Sequence, residues 1–249
     1  MGTQSLPTKK WSTSESFALQ NGEFLPGLEI AYETWGELSA EGDNVVVVLH
    51  ALSGSSHAFA SAENPDPGWW EALYGEEAPL RTGGFHVICA NIIGSCYGTT
   101  GPSSINPITE TPYATGFPQV TLRDMIETQR LLLKELGIDK PVTLLGGSMG
   151  GMLILEWMSQ YPEEISQAIC LATPPRSEGF TIALRSVQRD AILSDPNYNK
   201  GLYDEENFPG AGLSLARKIG MITYRSPGEF NDRFGRDVKD PRSHFLEGC

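Results

Sequence analysis

The sequence contains nothing long and apolar enough to cross a membrane. Its longest apolar run, Val45–Leu49, falls far short of the roughly 20 residues a spanning helix needs. The start, Met1-Gly2-Thr3-Gln4-Ser5-Leu6, is polar and has no h-region, so no secretory signal is read there. Leu6 also occupies the place where a myristoylation motif needs Ser or Thr. Basic residues are few, 18 against 31 acidic ones, giving a net charge of -13. That balance argues against nucleic acid or an anionic membrane as the main partner. An anionic substrate is still possible, because a local basic site can sit inside an acidic protein. Cysteine is scarce. Cys89, Cys96, Cys170 and Cys249 show no metal-ligand spacing, so no metal site is expected. Cys89 and Cys170 lie inside apolar runs, and all four are read as reduced thiols of a cytoplasmic protein.

What is present is ordinary for a globular protein: 40% hydrophobic and 20% charged residues in 249. Leu28–Trp35 reads as an early strand, and Val45–Leu49 as a strand buried on both faces. Phe85–Ala90 is a similar short run. From Thr121 to Leu136 the period becomes helical, with Leu122, Ile126, Gln129 and Leu133 on one side and Leu132 and Leu136 widening the stripe. Thr121 is the expected N-cap, with Asp124 three residues on, and Gly137 is the expected stop. Val142–Leu145 is the next strand, Met149–Gln160 the next helix, and Ala168–Ala172 another buried strand. Strands alternating with helices at this spacing predict a mainly parallel sheet flanked by helices. After Thr173-Pro174-Pro175 the pattern turns helical (Ile182–Leu193, Gly212–Ile219), with no strand run. The expected division is a core over residues 1–175 and the beginning of a helical lid over 176–249.

Gly146-Gly147-Ser148-Met149-Gly150 matches G-x-S-x-G, with a strand reading before it and a helix reading after it. In this context the pattern is the nucleophile elbow of an α/β-hydrolase fold. A serine projecting from a strained turn needs small residues two before and two after it, so that strand and helix can approach. A phosphate-binding or merely packing Gly-rich turn is the bland alternative. Acyl transfer through Ser148 also needs two oxyanion donors. One is the N–H of Met149, at the helix start. The candidate for the other is the N–H of Leu52, in the loop His50-Ala51-Leu52-Ser53-Gly54 that follows the Val45–Leu49 strand, with a plain strand-ending loop as the bland alternative. His50 is then a structural brace of that loop.

A serine nucleophile also needs a histidine base and an orienting carboxylate, in the chain order Ser, Asp or Glu, His. Only His244 follows Ser148, with Asp237 and Asp240 before it, in a polar stretch that reads as solvated surface. The sheet therefore reads as incomplete, and the chain as the N-terminal part of a longer protein.

Several long motifs resemble the homoserine O-acetyltransferase family of methionine biosynthesis: His50–Gly54, Gly94-Ser95-Cys96-Tyr97-Gly98-Thr99-Thr100-Gly101-Pro102, Phe117-Pro118 with Thr121–Asp124, Gly146–Met152, Leu155-Glu156-Trp157 and Ile222-Thr223-Tyr224-Arg225-Ser226. The resemblance runs from about Phe24 to Arg236. It implies an α/β-hydrolase core with an inserted helical lid, acetyl-CoA as co-substrate, L-homoserine as acceptor, no metal or other cofactor, and a homodimer. It makes Ser148 the nucleophile and Arg189 the holder of the acceptor's carboxylate, a task suited to the bidentate guanidinium. Without the resemblance, Arg189 reads as a solvated helix arginine. The family's aspartate and histidine have no match here. The rival readings are serine as acceptor, succinyl-CoA as donor, a carboxylic-ester hydrolase, and an inactive chain that keeps only the scaffold.

Overall fold

The computed structural model describes residues 9–80, 83–204 and 206–235. The chain divides into two compact units, Met1–Pro175 and Arg176–Cys249. In the first unit six strands form one sheet: β1 Lys9–Thr13, β2 Leu28–Trp35, β3 Val45–Leu49, β4 His86–Ala90, β5 Val142–Gly147 and β6 Ile165–Leu171. Their spatial order is β1-β2-β4-β3-β5-β6. The β4, β3, β5 and β6 strands run parallel, while β2 pairs antiparallel with both β1 and β4. Two helices complete the layers, α1 Leu122–Glu135 and α2 Met149–Gln160.

The continuous Val run of β3 is explained by its central place. Val45, Val47 and Leu49 pack with Ile126, Leu133, Leu153, Ile154 and Trp157 from the two helices. Val46 and Val48 point to the other face, onto Trp35, Phe59 and Leu145. There the cover is a long loop rather than a helix, with Trp70 and Tyr74 packed against the cluster. A strand buried on both faces cannot alternate in polarity.

Helix α1 starts and stops as its sequence dictates. The Thr121 hydroxyl accepts from Asp124 N–H, and the Asp124 carboxylate accepts from Thr121 N–H, closing a capping box. A second carboxylate oxygen takes the distant Gln20 N–H at 2.7 Å, tying the N-terminal segment to the helix. At the other end Gly137, with φ 72°, lets its own N–H reach Lys134 O and Ile138 N–H reach Leu133 O. Those two bonds form a Schellman stop, which favours glycine because φ is positive.

One strand is unannounced by the sequence, and one strand reading is revised. The β1 strand has a short, polar sequence that no periodicity announces, and pairing with β2 alone makes it a strand. The β6 strand forms where expected but is not buried: Ile169 and Leu171 are 44% and 42% exposed. Its apolar composition suits a strand covered on both faces. It pairs only with β5 among the described residues, and its outer edge is open.

The second unit contains α3 Gly179–Leu193, α4 Gly210–Thr223 and α5 Pro227–Phe234, and no strand among its described residues. Helices α3 and α4 pack through Gly212, where a side chain would come within 2.4 Å of Ala191 O. The Gln188 amide also donates to Ala216 O at 2.9 Å. Asp195 caps the start of α4 by accepting Gly212 N–H at 2.7 Å. Much apolar surface stays uncovered, including Phe180, Ile182, Val187 and Ile222. No helix among the described residues is long and apolar enough to cross a membrane.

Candidate active site

Ser148 sits between β5 and α2 with φ 54° and ψ −118°. A non-glycine residue in that region is strained by about 1–3 kcal/mol, and such strain gathers at functional turns. The surroundings over-determine it. Its N–H donates to Leu171 O of β6 at 3.0 Å. Its carbonyl accepts from the Thr173 hydroxyl at 2.7 Å and from Met152 N–H at 3.1 Å.

The glycines around it are sterically required. A Cβ on Gly146 would lie 2.7 Å from the Gly150 carbonyl carbon. On Gly150 it would lie 1.9 Å from Leu49 O, and on Gly151 2.5 Å from the Thr173 methyl. Helix α2 thus rests directly on the ends of β3 and β6, and its first turn points free N–H groups toward Ser148.

The two candidate oxyanion donors follow neighbouring strands of the sheet. In the sheet register Leu49 of β3 is opposite Gly146 of β5. Leu52 and Met149 each lie three residues beyond that pair. Ala51–Gly54 is a tight turn closed by Gly54 N–H to Ala51 O at 2.9 Å. That closing bond leaves the Leu52 N–H outside the turn's own hydrogen bonding. The Leu52 side chain is 76% exposed, so it carries no packing role. The Met149 N–H is the first of α2 and has no intrahelical partner.

His50 braces this loop. Its Nε2 accepts from Ile92 N–H at 3.2 Å, and its Nδ1 donates to Ala51 O at 2.8 Å. One nitrogen accepts and the other donates, so the ring is neutral. Burial pushes its pKa down to about 4. The unfolded chain protonates this ring below its ordinary 6.5, while the folded chain does so only near 4. The His50 contribution is therefore fully present above pH 6.5 and is lost as pH falls toward 4, up to about 3 kcal/mol. Urea midpoints at pH 7 and pH 4.5, compared with His50→Asn, check this: the variant should show the shallower acid loss.

Among the described residues no group forms a hydrogen bond to the Ser148 hydroxyl. The three described histidines are engaged elsewhere: His50 as above, His57 with Glu33, and His86 with Gly36 O at 3.0 Å. His244, Asp237 and Asp240 lie outside the described residues, as does Cys249. Arg189 is an exposed residue of α3 in the second unit, with no ion pair among the described residues. No cluster of three metal-ligating side chains occurs among the described residues.

A groove of about 1040 Å³ opens elsewhere, lined by Trp11, Phe17, Arg130, Lys134, Lys140 and Val142. Val142 begins β5, so this groove is at the opposite end of the strand from Ser148. Its arginine is already bound by Glu127 and Glu164 and covers the Tyr161 ring.

Glu33 and His57 belong to no motif, yet they are the buried ionisable pair nearest the Leu52 loop in sequence. The available sign was that Glu33 shares a strand face with Ala31 and Trp35, both apolar.

Comparison with known proteins agrees with the fold. The model of the alpha/beta hydrolase fold family matches residues 44–244. A homoserine O-acetyltransferase of Moorella thermoacetica is 47% identical over 251 residues, covering 99% of this chain and 67% of the relative. A homoserine O-succinyltransferase of Alkalilimnicola ehrlichii is 44% identical, over 90% of this chain and 59% of the relative. The crystal structure of a homoserine O-acetyltransferase from Bacillus anthracis superposes with a TM-score of 0.86 at 29% identity, over 96% of this chain and 68% of that one. The chain thus spans about three fifths to two thirds of the length of these proteins.

Proposed function

The chain belongs to the α/β-hydrolase fold family and, within it, to the homoserine O-acetyltransferases; from that premise we propose that Ser148 carries an acetyl group from acetyl-CoA to the hydroxyl of L-homoserine. The observation that supports this most is the strained Ser148 turn at the start of α2, locked by Gly146 and Gly150.

In this reading Ser148 Oγ attacks the thioester carbonyl and gives up its proton to a base. The carbonyl oxygen becomes an oxyanion, held by the N–H groups of Met149 and Leu52. The C–S bond breaks, CoA leaves as the thiol after taking the proton, and an acetyl ester remains on Ser148. The homoserine hydroxyl then attacks that ester, its carboxylate paired with Arg189, and the serine is restored. The base is not among the described residues. In this reading the chain from residue 176 onward belongs to a lid region, and a lid excludes water from an acyl-enzyme. The same reading makes the protein a cytoplasmic homodimer that needs no metal or redox cofactor.

Relatives named for acetyl and for succinyl transfer make the donor the point to test. Product analysis with both acyl-CoAs and with homoserine and serine in competition is expected to give O-acetylhomoserine. Rapid hydrolysis of aryl esters, independent of any amino acid, would instead make the protein an esterase. No turnover of any pair would make the chain a scaffold without activity.

A further inference from the structure

Between β3 and β4 the chain runs for 36 residues, from His50 to Phe85, with one helical turn among the described ones, Glu71–Leu73. Its first half closes on itself. The Glu71 carboxylate accepts the N–H groups of Ala60 and Gly68. Trp70 N–H donates to Ala58 O at 2.8 Å, and the Trp69 indole donates to Ser55 O at 2.8 Å. Gly68 lies so close to Ala58 that a Cβ would come within 2.3 Å of its carbonyl carbon. Segment 55–71 is therefore an Ω-type loop whose base adjoins the Ala51–Gly54 turn.

That base is pinned to the sheet from two sides. Asn91, just past β4, accepts Ser56 N–H at 2.7 Å. The next residue, His57, reaches β2: its Nδ1 is 2.9 Å from Glu33 Oε2, and its Nε2 is 2.7 Å from Asp66 O. Glu33 is 1% exposed and His57 5%. A carboxylate oxygen and a carbonyl oxygen both accept, so the ring donates from both nitrogens only as the imidazolium. We infer that His57 and Glu33 form a buried imidazolium–carboxylate pair that positions the 50–57 loop, and through it the Leu52 amide, for stabilising the oxyanion.

The charged and titratable groups around the pair are few. Glu63 lies near Glu33, Glu71 lies near His57, and the Cys89 thiol is opposite Glu33 in the β2–β4 register. Burial pushes that thiol far up, so it stays neutral. Burial works against both charges: it pushes the Glu33 carboxyl up despite the His57 and Asn64 hydrogen bonds that lower it, and it opposes a charged His57, where the Glu33 and Asp66 oxygens outweigh it and raise the ring above its ordinary value. Asn64 offers the competing arrangement. Its amide nitrogen lies 3.0 Å from His57 Nδ1 and 3.4 Å from Glu33 Oε1. A neutral ring whose Nδ1 accepts from a protonated Glu33, with Asn64 donating to the other Glu33 oxygen, would satisfy the same atoms without charge. Replacing the anion by its neutral isostere, as in Glu33→Gln, keeps an acceptor at Nδ1 but removes the reason for the second proton.

The catalytic part of the inference rests on Leu52 being an oxyanion donor, and the test separates the two. In ¹⁵N-histidine NMR of the full chain at pH 7, His57 is expected to show two protonated ring nitrogens and His50 only one. A neutral His57 would overturn the pair. In Glu33→Gln the amides of residues 51–57 are expected to exchange at least about tenfold faster. With acyl transfer as readout, kcat should fall roughly 10- to 100-fold with KM unchanged. Unchanged exchange in a folded Glu33→Gln chain would overturn the positioning role. Both spectroscopic readouts hold without turnover, so a wild-type chain that fails to acylate Ser148 refutes the function and leaves the pair decided.

Discussion

Replacing Gly150 by alanine is expected to cost the fold about 3 kcal/mol or more, although alanine is the better helix former by roughly 1 kcal/mol. The new methyl would sit 1.9 Å from Leu49 O, 2.7 Å from the Leu49 carbonyl carbon and 3.2 Å from His50 O. All three atoms belong to the backbone of the central strand and its exit. No rotamer change relieves such a contact, so either α2 or β3 must move. Movement of α2 carries Ser148 and Met149 with it, and movement of β3 carries the Leu52 loop. Stability and acyl transfer should fall together. At 2–4 °C per kcal/mol for a chain of this size, the melting midpoint should drop by roughly 6–12 °C. Gly116→Ala is the control, since nothing lies within 4 Å of its Cβ position and its φ is not positive. That variant should stay within about 0.5 kcal/mol of the parent. A Gly150→Ala chain as stable as the Gly116→Ala one would mean that helix and strand do not meet as described.

Substitutions at Ser148 should separate chemistry from strain. Ser148→Ala removes the attacking oxygen and keeps a Cβ at φ 54°. Transfer should fall roughly ten-thousand-fold or more, with stability nearly unchanged. Ser148→Gly removes the oxygen and relieves the turn. It should be as inactive as the alanine variant but about 1 kcal/mol more stable. Chemical denaturation of both variants beside the parent tests this. A glycine variant no more stable than the alanine one would show that the Ser148 backbone is not strained.

The elbow was legible because its requirement is steric and local: Gly146, Gly150 and the serine between them lie within five residues. The α1 cap and stop were legible for the same reason, with Thr121, Asp124 and Gly137 each acting within one helical turn. The burial of β6 was misread because an apolar run such as Ala168–Ala172 reports what its faces suit, whereas edge position depends on which other strands are present. The β1 strand escaped because its strand character comes from β2, not from its own pattern. The Glu33–His57 pair escaped because its partners are 24 residues apart and belong to different elements. The tautomer of His50 could not be read either: it is set by Ile92 N–H, a backbone group 42 residues away.

The most direct measurement is peptide-level mass spectrometry of the chain, quenched after mixing with acetyl-CoA, with and without L-homoserine. The peptide holding Ser148 should gain one acetyl group, lose it when homoserine is added, and stay unmodified in Ser148→Ala. Absence of acetyl on that peptide, or equal loss to water and to homoserine, would contradict Ser148 as the carrier in an acyl transfer.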